Sequence, residues 1–142
     1  MTMRYVNRVT RQSDIDFIAQ KLLNRQIAFA TPENAISDFS NKDAHLYALF
    51  DKTTDKPLAI CTVIPEPEYK YKAIKRLVIL DTANCGKGYA KELLASVIKR
   101  EHGTLGCTPW ITNTHMHGML RHFGFTYQYT FNNIWTFWTL KK

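Results

Sequence analysis

No stretch of this sequence reaches the roughly 18 uninterrupted apolar residues of a membrane-crossing helix. The N-terminus carries Arg4, Arg8 and Arg11 with no apolar signal core behind them. Both absences point to a cytoplasmic protein that does not use the membrane. Cysteine is scarce, and Cys61, Cys85 and Cys107 lack the paired spacing of a zinc site. An odd set of this kind suits a reducing compartment and argues against a disulfide framework. Internal repeats and low-complexity tracts are absent, which excludes solenoids and biased linkers. Carboxylates are missing from the C-terminal end, where none follows Glu101.

The 142 residues suit a single domain, 1–142, and 45% apolar content is enough for a core without metal or disulfide. The net charge of +7 is uneven: 8 basic and 9 acidic residues up to Tyr69, then 11 basic against Asp81, Glu92 and Glu101. Such asymmetry favours an anionic ligand or partner, with coenzyme A, nucleic acid and acidic protein all compatible.

Hydrophobic periodicity orders the elements. Tyr5 to Val9 reads as a short strand. Ile15, Ile18, Ala19 and Leu22 mark an amphipathic helix. Thr31-Pro32-Glu33 caps a second helix through Ile36 and Phe39. Leu46 to Phe50 and Leu58 to Ile64 predict an antiparallel pair, the second strand ending at Pro65 and Pro67. After a basic approach from Lys70 to Lys75, Leu77 to Leu80 is expected to be a strand buried on both faces. Ala90, Leu93, Leu94, Val97 and Ile98 give the clearest helix, closed by Gly103. A short strand is expected at Pro109 to Thr112, then a helix on Met116, Met119, Leu120 and Phe123 that ends at Gly124. Phe125 to Phe131 and Ile134 to Leu140 complete a hairpin around Asn132-Asn133. The result is an α+β fold, a mixed and mostly antiparallel sheet flanked by helices. Its centre is a parallel strand-helix-strand crossover.

The segment Asp81-Thr82-Ala83-Asn84-Cys85-Gly86-Lys87-Gly88-Tyr89-Ala90 joins the buried strand to the strongest helix. Glycines let backbone N–H groups crowd a ligand. The first N–H groups of a helix are unpaired and sit at its positive end. The combination suits phosphate or pyrophosphate, with Lys87 at the rim. Tyr89 after Gly88 excludes a P-loop, which needs Lys-Ser/Thr there. The missing third glycine excludes a dinucleotide-binding turn.

This turn, with Asn113, Met116, Met119, Leu120, Gly124 and Phe125 in register behind it, resembles the Gcn5-related N-acetyltransferase superfamily over nearly the whole chain. The resemblance implies an acyl-CoA N-acyltransferase fold whose sheet splays at two parallel strands. It implies transfer of an acetyl group from acetyl-CoA to a primary amine on a small molecule, peptide or protein. Cofactor contacts then fall on Leu80, Cys85, Gly86, Lys87, Gly88, Tyr89, Ala90 and Asn113. Acetyl-CoA would lie between the Leu80 and Ile111 strands, with backbone near Leu80 polarising the thioester. Departures are specific. Cys85 stands at an Arg/Gln position, Thr82 at a frequent proline and Met116 at a frequent alanine. Leu120 stands where relatives place a proton-donating tyrosine.

With that tyrosine gone, His117, one turn from Leu120, is the expected acid. Asp81 and Glu66, with Glu68 beside it, are the nearest candidate bases. His115 and His117, at i and i+2, diverge too far to hold a metal, and none is expected. Trp135, Phe137 and Trp138 cannot share one strand face, so at least one meets a ligand, a partner or a second layer. Lys70, Lys72, Lys75 and Arg76, with the later aromatics, leave nucleic acid or aminoacyl-tRNA as an alternative acceptor. A non-catalytic coenzyme A-binding module is the other alternative. Monomer and homodimer stay equally open.

Overall fold

The computed structural model describes residues 3–142. Strands β1 (Arg4–Arg8), β2 (His45–Asp51), β3 (Pro57–Glu66), β4 (Tyr71–Ile79), β5 (Leu105–Cys107), β6 (Thr126–Phe131) and β7 (Trp135–Leu140) alternate with helices α1 (Gln12–Arg25), α2 (Pro32–Ser40), α3 (Tyr89–Arg100) and α4 (Thr114–His122). The strands form one sheet in the order β1-β2-β3-β4-β5-β7-β6. Among the described residues, its only parallel pair is β4 with β5. Among the described residues, no helix is long and apolar enough to cross a membrane.

Local chemistry explains the element ends. Thr31 Oγ1 accepts the Asn34 N–H at 3.1 Å while Asn34 Oδ1 accepts the Thr31 N–H at 3.2 Å, a reciprocal cap on α2. Asn132 and Asn133 both sit at φ 55°, the left-handed pair at the centre of the turn that the Ile134 N–H closes on the Phe131 carbonyl at 3.2 Å. Asparagine tolerates that region because its side chain can bond locally.

Strand β2 is covered on both faces. Tyr47 and Leu49 join Leu93, Leu94, Val97 and Leu120 under α3 and α4. Leu46, Ala48 and Phe50 join Ile15, Ile18, Leu22 and Ala35 under α1 and α2. The expected two-sided burial at residues 77–80 holds on one face only. Val78 and Leu80 are buried in the α1/α2 layer, whereas Leu77 and Ile79 are only partly covered.

Three boundaries differ from the sequence reading. Pro65 lies inside β3, opposite Lys72, and the basic approach is itself the first half of β4. The strand expected at Pro109 to Thr112 is instead Leu105–Cys107. Residues 109–112 contribute only a bridge from Trp110 to Trp135. The apolar, aromatic look of Trp110-Ile111 misleads, because both side chains are exposed, while the short β5 is fully buried.

Candidate functional site

Strands β4 and β5 pair only through Lys72–Leu105 and Ala73–Gly106. Beyond Ala73 the two strands separate. The β5-facing edge of β4 is therefore free of strand partners from residue 74 onward. The Leu80 N–H donates to the Leu58 carbonyl at 3.0 Å, on the β3 side. Backbone groups of successive strand residues point to opposite edges, so those of Ile79 and Leu77 point into the gap. The Leu80 backbone, expected to polarise a carbonyl, thus faces β3, and the backbone groups that face the gap are those of Leu77 and Ile79. Leu80 is committed to the ladder and its side chain is buried in the α1/α2 layer.

A bulge sets this edge. Ile60 pairs with Val78 and Thr62 with Lys75, so Arg76 and Leu77 together oppose Cys61. Arg76 takes φ 52°, a strained value for a non-glycine residue. A cross-brace holds it there: Arg76 Nη1 lies 3.1 Å from Asp38 Oδ2, which also accepts the Thr62 hydroxyl at 2.9 Å. Burial pushes the Asp38 carboxyl above the usual carboxylate range, against the pull of Thr62 and Arg76.

The gap opens into a cleft of about 860 Å³ bounded by Leu77–Ile79, the α3 turn, α4 and the loop after α1. Six of the eight predicted cofactor residues, Cys85, Gly86, Gly88, Tyr89, Ala90 and Asn113, line it. Gly86 and Gly88 both have φ 82°, and a methyl group placed on either would meet nothing within 4 Å. Their outer faces are open, and their backbone conformation is one that other residues reach only with strain. The first N–H of α3 to find a carbonyl is that of Glu92, on Gly88 at 3.0 Å. Among the described residues, the N–H groups of 86–91 make no hydrogen bond. Amides without partners at the positive end of a 12-residue helix are the donor set a polyanion takes.

The cleft wall carries positive charge from Arg25 and Lys91. His115 and His122 also line it, and no carboxylate does. Lys87, expected at the rim, donates to Asn84 Oδ1 at 3.1 Å and lies outside the cleft lining. Asn113 caps α4, its Oδ1 accepting the Met116 N–H at 3.1 Å.

The three predicted proton-transfer residues are all displaced. His117 is buried on the opposite side of α4, its Nε2 3.1 Å from the Trp110 carbonyl and 3.2 Å from Thr136 Oγ1, with its ring 5.3 Å from that of Trp138. The helical turn that placed it near Leu120 points both side chains inward, and Leu120 is fully buried. Asp81 is paired with Lys21 at 2.9 Å and Glu66 with Lys75 at 3.5 Å, and neither lines the cleft. His115, one residue inside α4, lines it instead, as does His122 at the helix end. The two-residue offset between His115 and His117 carries the difference, since it turns a helical side chain by more than half a revolution. Burial raises the Cys61 thiol and pushes Cys107 up to about 12, which leaves Cys85 as the exposed thiol. Among the described residues, no cluster could hold a metal.

This architecture is the acyl-CoA N-acyltransferase fold of the Gcn5-related N-acetyltransferases. The solved structures it matches include NAA60 from Arabidopsis thaliana in complex with a bisubstrate analogue, with a TM-score of 0.75, 13% identity and 97% of both chains covered. An acetyltransferase from Thermus thermophilus superposes with a TM-score of 0.74, 14% identity and coverage of 99% of this chain and 98% of that one. A spermidine N-acetyltransferase chimera from Vibrio cholerae gives a TM-score of 0.74 at 12% identity, covering 99% and 96%. No protein-family model matches the sequence. No curated protein matches it either.

Proposed function

We propose that this protein transfers an acetyl group from acetyl-CoA to an amine by direct attack. The observation that carries the reading is the row of open amides from Gly86 to Lys91 at the mouth of the β4–β5 gap. Acetyl-CoA fits this donor set, since its diphosphate would take the amides and its extended arm the unpaired β4 edge. When bound it supplies an activated thioester and a thiolate leaving group.

The remaining chemistry falls to the chain. The amides of 86–91, with Lys91 and Arg25 nearby, hold the anionic tail. Leu77 and Ile79 align the arm by backbone bonds and exclude water with their side chains. Holding two reactants in register removes several kcal/mol of barrier, about 7–11 in the best intramolecular cases. His115 supplies the proton that the leaving thiolate needs, and imidazole is suited to that task near neutrality. With no carboxylate on the wall, the amine must arrive neutral. A cationic wall also disfavours acceptors that carry a second positive charge.

Titrating acetyl-CoA into the protein and into Gly86→Glu, with free thiol assayed in parallel across amine acceptors, tests the proposal. The parent should bind and release thiol. Gly86→Glu should bind at least tenfold more weakly, because its carboxylate occupies the cradle. Absence of binding by the parent would end the proposal. A second reading, coenzyme A binding without turnover, draws on the carboxylate-free wall and on Leu120 at the tyrosine position. Tight binding with no thiol release from any amine would select it.

A further inference from the structure

On the face where α1 and α2 cover β1 to β4, no residue of β5, β6 or β7 joins the buried layer. This uncovered half holds a groove of about 780 Å³, separate from the acyl-CoA cleft and sharing no lining residue with it. Its floor is a chain of five rings. Tyr69 and Tyr71 have centroids 6.1 Å apart, Tyr71 and Phe137 5.3 Å, Phe137 and Tyr129 5.3 Å, and Tyr129 and Phe131 6.1 Å. Tyr69, Tyr129 and Phe131 are exposed. Gly106 makes the floor possible, for a methyl group there would lie 2.5 Å from the Tyr71 ring.

The rim supplies charge of one sign. Lys70 and Lys141 line the groove, and no carboxylate does. Glu66, next to the Tyr71 end, is paired with Lys75, and Glu68, one residue before Tyr69, lies outside the lining. The three acidic residues after Lys70 are neutralised elsewhere: Asp81 by Lys21, Glu92 by Arg4, and Glu101 by His45 and Lys72. Aromatic faces with lysines between them, free of carboxylates, match alternating flat rings and phosphates. Like charge disfavours a second copy of a chain with net charge +7. The row of rings is longer than one base can cover.

We propose that this groove binds a single strand of nucleic acid, its bases stacked on Tyr129, Phe137 and Tyr71 and its phosphates on Lys70 and Lys141. The test is fluorescence anisotropy of a labelled eight-nucleotide oligouridylate with the 142-residue protein, at several salt concentrations. Uridylate avoids the adenine that coenzyme A itself carries. Binding should weaken as salt rises. Tyr129→Ala should weaken it about 5- to 150-fold, the range for one lost base–aromatic stack. Tyr129 is exposed on an edge strand, so the variant should melt with the parent. Lys70→Glu with Lys141→Glu should abolish binding, whereas Gly86→Glu should leave it intact, which separates this groove from the coenzyme A cradle. Four outcomes would overturn the proposal: no binding, binding indifferent to Tyr129→Ala, binding lost in Gly86→Glu, or uridine monophosphate binding as tightly as the oligonucleotide. Sedimentation showing a dimer that dissociates in Tyr129→Ala would assign the groove to a second copy instead.

Discussion

Replacing Glu101 with glutamine should destabilise the fold by about 2 kcal/mol at neutral pH, a loss that shrinks in acid. Glu101 is 2% exposed at the C-terminal end of α3. It receives His45 Nδ1 at 2.7 Å, Lys72 Nζ at 3.2 Å and the Tyr47 hydroxyl. The contacts tie α3 to β2 and β4, so the helix whose other end forms the cradle is anchored here. Glutamine keeps an acceptor for Tyr47 but removes the charge that Lys72 and His45 face. Charge-assisted hydrogen bonds contribute about 1.5–3 kcal/mol each, and a fully buried broken pair costs about 3–5 kcal/mol. Lys72 and His45 are each about one-third exposed, so water compensates part of the loss. Hence the figure near the low end.

Burial raises the Glu101 pKa, but the bonds from His45, Tyr47 and Lys72 outweigh it and hold the carboxyl below 4.5. A carboxylate depressed in the native state stabilises above its unfolded value and loses that contribution as pH falls through the native one. The parent–variant gap should therefore be full at pH 7 and close progressively below pH 4.5. Asp38, shifted the opposite way, is present in both proteins and cancels. Urea unfolding at pH 7, 5, 4 and 3.5 measures the gap. In thermal melts it should appear as a drop of about 5–10 °C. A variant that melts within 1 °C of the parent at pH 7, or a gap constant from pH 7 to 3.5, would refute the reasoning.

His117→Ala should cost about 0.5–3 kcal/mol in urea unfolding, by deleting a buried ring that packs on Trp138 and its hydrogen bonds to the Trp110 carbonyl and Thr136, while leaving the pH profile of acetyl transfer unchanged. His115→Ala should instead lower kcat at least tenfold, with acetyl-CoA affinity within twofold and the melting temperature unmoved, as transfer and calorimetric assays would show. Gly106→Ala should destabilise by about 1–3 kcal/mol, since the methyl overlaps the Tyr71 ring and something must shift; equilibrium unfolding reads this directly. Thr31→Ala should lose about 1 kcal/mol through the α2 cap, seen as a lower urea midpoint with an unchanged slope.

Periodicity and local turn chemistry made much of the fold legible. The stripe from Ala90 to Ile98, the Thr31-Pro32 cap and the Asn132-Asn133 turn are encoded by near neighbours, and each forms where the sequence puts it. The glycine turn before α3 is local in the same way. A cradle of amides needs no distant residue, only two positions that tolerate positive φ and a helix that follows them.

What depends on distant contacts was not legible. Strand β5 has three residues and no alternation to read, and its pairing with Lys72 and Ala73 comes from the sheet. Nothing around Arg76 signals the bulge, at which its guanidinium pairs with Asp38 of α2, itself bonded by Thr62 of β3. The placement of the candidate proton-transfer residues was hidden for the same reason. His115 and His117 are equivalent in composition, and only the packing of α4 decides which imidazole meets the cleft and which meets Trp138. Sequence alone therefore determined the strand and helix periods and the phosphate-type turn, because those are set by residues within a few positions of one another. Tertiary structure alone decided which edge of β4 lies open, which histidine faces it and which aromatic rings line up, because those depend on the register between segments far apart in the chain.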